Sequence, residues 1–145
     1  MTDFERRVRV AVMESFRDTS RAPTAATLAA GLGAPVEAVS DALKALDRQR
    51  ALVLQPGTDA IWMAHPFSAV ETPLGVSVGS RRWFANCAWD GLSILALLGD
   101  GTLEARSPAT GETLRFEASG GLVRGEGVIH FLTPARRFWD DIGVT

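Results

Sequence analysis

A cysteine and an aspartate three residues apart are the residues of this sequence best suited to chemistry. Cys87 is the single cysteine of the chain, and Asp90 follows it where an apolar, helix-like run begins. The first turn of a helix presents unpaired N–H groups and a partial positive charge, which favour a thiolate over a thiol. Because residues three apart share a helix face, the spacing predicts a nucleophilic or metal-binding thiolate beside a proton-carrying carboxyl. The alternative is a core cysteine followed by an ordinary helical acid.

Other residues extend the candidate site. Glu126 lies in a glycine-rich turn and His130 in a predicted strand, 128–132. Carboxylate and imidazole groups are common ligands of metal ions. Their alternative roles are a solvated turn residue and a hydrogen-bonded core histidine. Trp83 or Trp89 could wall a small apolar pocket beside the cysteine, which would suit an organic group.

The surroundings of Cys87 resemble the active-site segment of the alkylmercury lyase (organomercurial lyase) family. The resemblance rests on residues 83–90, WFANCAWD, and on the leucine-rich run that follows them. The downstream turn at 108–111, PATG, is similar to the family's C-x-A-T-G turn, with a serine and a proline ahead of the Ala-Thr-Gly. The resemblance is closest over 76–132 and looser over 1–70, where the family has a winged-helix-like region.

The resemblance implies a mechanism. In the family a first cysteine, matched here by Cys87, takes the mercury of an organomercurial. An aspartate, matched by Asp90, helps to deliver the proton that releases the hydrocarbon. A second cysteine on a later strand shares the metal; this chain has no second cysteine, and Glu126 and His130 are what remains near that position. The resemblance therefore implies Cys87, Asp90, Glu126 and His130 as candidate ligands of a soft or borderline ion such as mercury, copper or zinc, with the last two harder than a thiolate. Two thiolates hold Hg(II) better than one, so an external thiol could supply the second sulfur. No organic cofactor is implied.

Composition and charge exclude several classes of protein. The chain has 145 residues, 46% hydrophobic and 22% charged, which fits one compact domain or two very small ones that share a core. Its 15 basic and 17 acidic residues give a net charge of −2, which argues against a strongly basic nucleic-acid binder. No apolar run approaches the roughly 20 residues that span a bilayer. The N-terminus lacks a signal-peptide pattern, and one cysteine fits a reducing, cytoplasmic environment.

The first 70 residues have the pattern of a winged helix. Apolar residues four positions apart predict a helix over 3–17. Thr24 caps a short second helix, and Pro35 opens a third one that runs to about Gln49. Two short strands with a turn between them, over 51–64, complete the pattern.

DNA binding through the third helix would be the usual function of such a region. The first half of that helix carries only acidic charges, Glu37 and Asp41, whereas contact with phosphate needs Lys or Arg that face the duplex. A structural or partner-docking role is therefore favoured over DNA binding.

The pattern changes after the segment 65–73, which we expect to be a linker fixed by two prolines. His65, which precedes Pro66, is expected to be structural. The predicted fold class is α+β, with a winged-helix-like three-helix region, 1–70, packed on a small mixed or antiparallel sheet with one helix, 71–145, of the alkylmercury-lyase type. The predicted elements of the second part are strands at 76–78, 81–85, 102–106, 113–117 and 128–132, a helix at 89–98, and one or two helical turns within 134–142.

The function that these features predict is an alkylmercury-lyase-like protein. Cys87 would bind an organomercurial or another soft metal, and Asp90 would be the acid that protonates the leaving carbon. Two alternatives stay open. One is a metal- or ligand-responsive transcriptional regulator whose N-terminal region binds DNA or a partner. The other is an enzyme of the same fold that uses the thiolate on a different small molecule.

Overall fold

A computed structural model of the chain describes residues 1–131 and 133–143. The helices are α1 (Asp3–Thr19), α2 (Ala25–Leu32), α3 (Val36–Arg48), α4 (Ala88–Leu98) and a C-terminal 3-10 helix (Ala135–Asp140). The strands are β1 (Val53–Leu54), β2 (Ile61–Ala64), β3 (Phe67–Ser68), β4 (Leu74–Val78), β5 (Arg81–Ala85), β6 (Gly101–Arg106), β7 (Thr113–Ser119) and β8 (Leu122–Arg124). Within the described part of the chain, no helix is long and apolar enough to cross a membrane.

The three N-terminal helices begin where their capping residues predict. Thr2 and Glu5 form a capping box at the start of α1, in which each side chain accepts a hydrogen bond from the other residue's backbone N–H. The Thr24 hydroxyl accepts a hydrogen bond of 3.1 Å from the Thr27 N–H and caps α2. Pro35 immediately precedes α3. The apolar faces of α1 and α3 are buried in the core. They consist of Val8, Val12 and Phe16 in α1 and Val39, Leu43 and Leu46 in α3.

The strands form one antiparallel sheet in the order β1-β2-β3-β5-β4-β6-β7-β8. The α+β prediction is confirmed, and the sheet is antiparallel rather than mixed. The segment 65–73, expected to be a linker, contributes β3, which pairs with β2 on one side and with β5 on the other. The sheet therefore continues from the N-terminal hairpin into the C-terminal strands. The division of the chain at residue 70 stays a prediction.

The predicted strand 128–132 is wrong as far as the structure describes it. Residues 128–131 form no strand, and Leu132 lies outside the described residues. The neighbour of β7 is instead β8, which follows a two-residue loop of Gly120 and Gly121, both with positive φ. Glycine adopts positive φ at little cost, so a Gly-Gly pair suits a two-residue hairpin loop. The chain leaves the sheet after Arg124.

Buried contacts join the helices to the sheet and fix the end of β5. The Phe16 ring of α1 stacks on Phe67 of β3, with ring centroids 5.3 Å apart. The indole N–H of Trp83, in β5, donates a buried hydrogen bond of 2.6 Å to the Phe16 carbonyl oxygen. Helix α4 packs on β4, β5 and β6. It approaches closely because Gly91 has no side chain: a Cβ there would lie 2.7 Å from a methyl carbon of Leu103.

Candidate active site

Cys87 lies where the chain passes from β5 into α4. It is the N-cap residue of α4, with extended backbone angles, and its Sγ accepts a hydrogen bond of 3.4 Å from the Asp90 N–H. Sulfur is a weak acceptor, but this is the position at which a side chain satisfies an unpaired N–H of the first turn. The prediction that both residues lie at the start of a helix is confirmed.

The acidity of the Cys87 thiol differs from the sequence-based prediction. Burial raises its pKa above the ordinary value of 9.0, and the negative charge of the Asp90 carboxylate and its hydrogen bond with the thiol act in the same direction. The hydrogen bond from the Asp90 N–H lowers the pKa, but it does not outweigh burial. The expected resting thiolate is therefore wrong: before a metal binds, Cys87 carries its proton at neutral pH.

Two side chains hold the Asp90 carboxylate, and both contact the same oxygen. Nδ1 of His65 lies 3.2 Å from Asp90 Oδ2, and Nδ2 of Asn86 donates a hydrogen bond of 3.1 Å to that oxygen. Nδ2 of Asn86 also donates to the Phe67 carbonyl oxygen, at 3.2 Å. The Asp90 side chain is 16% exposed and that of His65 is 37% exposed. Asp90 is therefore a mostly buried acid with a more exposed imidazole beside it.

His65, expected to be structural, contacts the candidate site, with its Nδ1 3.2 Å from Asp90 Oδ2. The reason is the pairing of β3 with β5, in which Phe67 lies opposite Ala85. In an antiparallel pair, the residues just before β3 and those just after β5 come to the same end of the two strands. His65 therefore meets Asn86 and the start of α4. His65 and Asp90 are 25 positions apart in the sequence, so no local motif reveals this relation.

A cavity of about 300 Å³ adjoins Cys87 and Asp90. Most of its wall is apolar, and the C-terminal segment supplies part of it. The candidate tryptophans are not in this wall: Trp83 is buried in the core, and Trp89 is 58% exposed. The apolar lining consists of Trp62, Met63, Val70, Phe131, Phe138 and Ile142, and the polar lining includes His65, Ser68, Thr72, Asn86, Cys87 and Asp90.

Glu126 and His130 are not placed with the cysteine. Both lie in the exposed, irregular segment after β8, and neither is among the described residues that line the cavity. Among residues 1–131 and 133–143, no three His, Cys, Asp or Glu side chains group closely enough to hold a metal ion. The geometry thus leaves Cys87 and Asp90 as the candidate pair, without the two harder ligands that the sequence suggested.

Fold and site together define a class of protein: an α+β fold that offers one thiol and one carboxyl to a small ligand in an apolar cavity. Residues 67–145 match the model of the alkylmercury lyase family, MerB, and the chain belongs to that family. Its fold is similar to that in the crystal structure of the mercury-bound form of MerB2, with a TM-score of 0.69 and 24% sequence identity. The match covers 86% of this chain and 60% of that one. No curated protein sequence matches the chain.

Proposed function

We propose that this chain binds an organomercury cation through Cys87 and cleaves its carbon–mercury bond by protonolysis, with Asp90 as the acid. The observation that carries the proposal is the shared position of the two residues at the start of α4, where the Asp90 backbone N–H donates a 3.4 Å hydrogen bond to Cys87 Sγ and both side chains border an apolar cavity. Membership of the alkylmercury lyase family supports it. Because the chain spans 60% of the MerB2 structure, the activity is a proposal for this chain.

Binding begins with formation of a sulfur–mercury bond. A thiolate is a soft ligand and suits a soft metal. The Cys87 proton must leave as the bond forms, and the Asp90 carboxylate, whose charge raises the pKa of the thiol, is the neighbouring base that would take it. The organic group would lie against the apolar wall. An apolar cavity of about 150 Å³ holds benzene, so about 300 Å³ accommodates a phenyl or short alkyl group.

Cleavage uses the proton now on Asp90. The electron pair of the carbon–mercury bond becomes the new carbon–hydrogen bond, the carboxyl gives up its proton, and the hydrocarbon leaves. The mercury remains on the Cys87 sulfur as Hg(II), and the regenerated Asp90 carboxylate is a second ligand. We expect a small external thiol to complete the coordination and to remove the product, because the chain has one cysteine.

The test is benzene release from phenylmercuric acetate by purified protein with excess small thiol. The control is Cys87→Ser, since serine is itself a good N-cap and should preserve α4. We expect release by the parent protein and only the background rate of thiol and buffer with the variant. Equal release by the two proteins would remove Cys87 from the mechanism. One-to-one mercury binding without release would mean that the chain binds mercury but has lost the lyase reaction.

A further inference from the structure

We propose that His65 is a positioning residue which, with Asn86, fixes the Asp90 carboxyl by Oδ2 and thereby keeps Oδ1 for delivery of the proton. The inference rests on the proposed lyase function, and it assigns to that reaction a residue that no local motif reveals. The contacts of Asp90 carry it, since they are asymmetric. Both nitrogen contacts fall on Oδ2, and Oδ1 accepts no hydrogen bond from a nitrogen donor among the described residues.

The orientation of the Asn86 amide follows from its own neighbours. Nδ2 faces two acceptors, the Phe67 carbonyl oxygen at 3.2 Å and Asp90 Oδ2 at 3.1 Å. A flipped amide would turn its oxygen toward both of them, so the NH₂ group must be the one that lies there. The amide oxygen is left buried without a hydrogen-bond partner in the described structure. Leaving this oxygen without a partner costs free energy. The cost indicates that the role of Asn86 is to place its Nδ2 against Asp90 and the Phe67 carbonyl oxygen.

The His65 ring also contacts an aromatic side chain. Trp139, in the 3-10 helix, meets the imidazole edge-on, with centroids 6.2 Å apart. The Arg50 guanidinium lies over the Trp139 ring at 5.5 Å from its centroid. A cation over an indole face is attracted to it, and this contact ties the 3-10 helix to the end of α3. The imidazole therefore has a fixed direction in which to present Nδ1 to Asp90.

This geometry selects the oxygen that carries the acidic proton. A carboxylate only accepts hydrogen bonds, so Nδ1 of His65 donates its N–H to Oδ2, as Asn86 does. A proton on Oδ2 would point at these two donor hydrogens, whereas a proton on Oδ1 would not. The carboxyl is thereby held as an acid with its O–H on Oδ1. Without His65, Asp90 keeps one donor and can rotate, so fewer bound substrates have the proton within reach of the carbon.

The experiment compares two amides at position 65. In His65→Asn the amide nitrogen can occupy the place of Nδ1, whereas in His65→Gln it lies near the place of Nε2. We expect His65→Gln to lower the single-turnover rate of benzene release by about 10- to 100-fold, the usual effect of losing a hydrogen-bonding partner that orients a reactive group. His65→Asn should recover most of that rate. Both variants should still take up one phenylmercury per Cys87, and His130→Asn should match the parent protein.

The outcomes separate this inference from the proposed function. Parent-level release by His65→Gln, or His65→Asn as slow as His65→Gln, would overturn the positioning role while leaving the lyase reaction intact. If the parent protein itself releases no benzene, the proposed function fails. The orientation of Asp90 in crystals of the metal-free variants then decides the positioning role. A carboxyl that turns in His65→Gln and not in His65→Asn supports the role, and one that is unmoved in both overturns it.

Discussion

Replacing Asp90 by Asn should separate the binding of mercury from the cleavage of its bond to carbon. Asn has nearly the same shape and its amide oxygen can still accept the Asn86 hydrogen bond, so α4 should keep its start. The carboxylate, however, raises the pKa of the Cys87 thiol through its charge and its hydrogen bond. Its removal should lower that pKa, and each unit of such a change gives about tenfold more thiolate at a pH below the pKa.

The effect on cleavage should go the other way. Asp90 is the one acidic side chain among the described residues that line the cavity. A positioned acid contributes about 10²- to 10⁴-fold to the rate, so we expect benzene release by Asp90→Asn to fall by that factor. Release would then depend on water or His65. Asp90→Asn is therefore expected to have a more reactive cysteine and a much slower lyase reaction.

The assay exploits the presence of one cysteine, because alkylation by iodoacetamide as a function of pH reports Cys87 alone. Alkylation of the parent protein and of Asp90→Asn gives the two pKa values, and single-turnover benzene release gives the two rates. An alkylation profile that moves to higher pH would refute the assigned effect of the carboxylate on the thiol. Release by Asp90→Asn at the parent rate would refute its role as the acid, even if the thiol behaved as expected.

Three other expectations follow from the described contacts. Trp83→Phe removes one of the two hydrogen bonds that the Phe16 carbonyl accepts, the other coming from the Ser20 N–H, and should lower the free energy of unfolding by about 0.5–1.5 kcal/mol; urea denaturation measures this, with Phe67→Leu, at the stacked ring, as a packing comparison. The pKa of Cys87 is higher in the folded state than in the unfolded state, where it is near 9.0. The contribution of the Cys87 thiol to stability is therefore fully present below pH 9.0 and is lost as the pH rises through the folded-state pKa. The melting temperature of the parent should fall relative to that of Cys87→Ser in alkaline solution, and parallel plots of melting temperature against pH would contradict this. Exposed Glu37, at the start of α3, predicts no duplex binding at physiological salt, and a salt-dependent fluorescence anisotropy signal would contradict that expectation.

The parts of the fold that sequence predicted well are those encoded over short distances. The cap at Thr24, the apolar periodicity of the helices and the start of α4 at Cys87 are local signals, and the structure agrees with each. The pair of glycines at 120–121 is also a local signal, typical of a hairpin, and in the structure it connects β7 to β8. The chain leaves the sheet at Arg124, before the apolar run at 128–132.

The parts of the site that could not be predicted depend on strand pairing. His65 lies just before the two-residue strand β3. No pattern in the neighbouring sequence predicts that β3 pairs with β5. Glu126 and His130 were suggested by their place in the chain relative to a missing cysteine, but β8 ends before them and the chain leaves the sheet. Residue type and spacing were enough to identify Cys87 and Asp90. His65 could be identified only from the register in which β3 pairs with β5.

The raised pKa of Cys87 and the position of Asp90 can be understood together on the proposed mechanism. A resting thiolate would bind any soft metal cation at once, but it would bring no proton to the site. A thiol held protonated by burial and by its carboxylate neighbour brings one, and it yields that proton only when sulfur bonds to mercury. The nearest base is the carboxylate from which the carbon must then be protonated. Burial thus makes Cys87 a weaker nucleophile but keeps on it the proton that the reaction needs. On this mechanism one proton passes from the Cys87 sulfur to the Asp90 carboxylate and then to the leaving carbon.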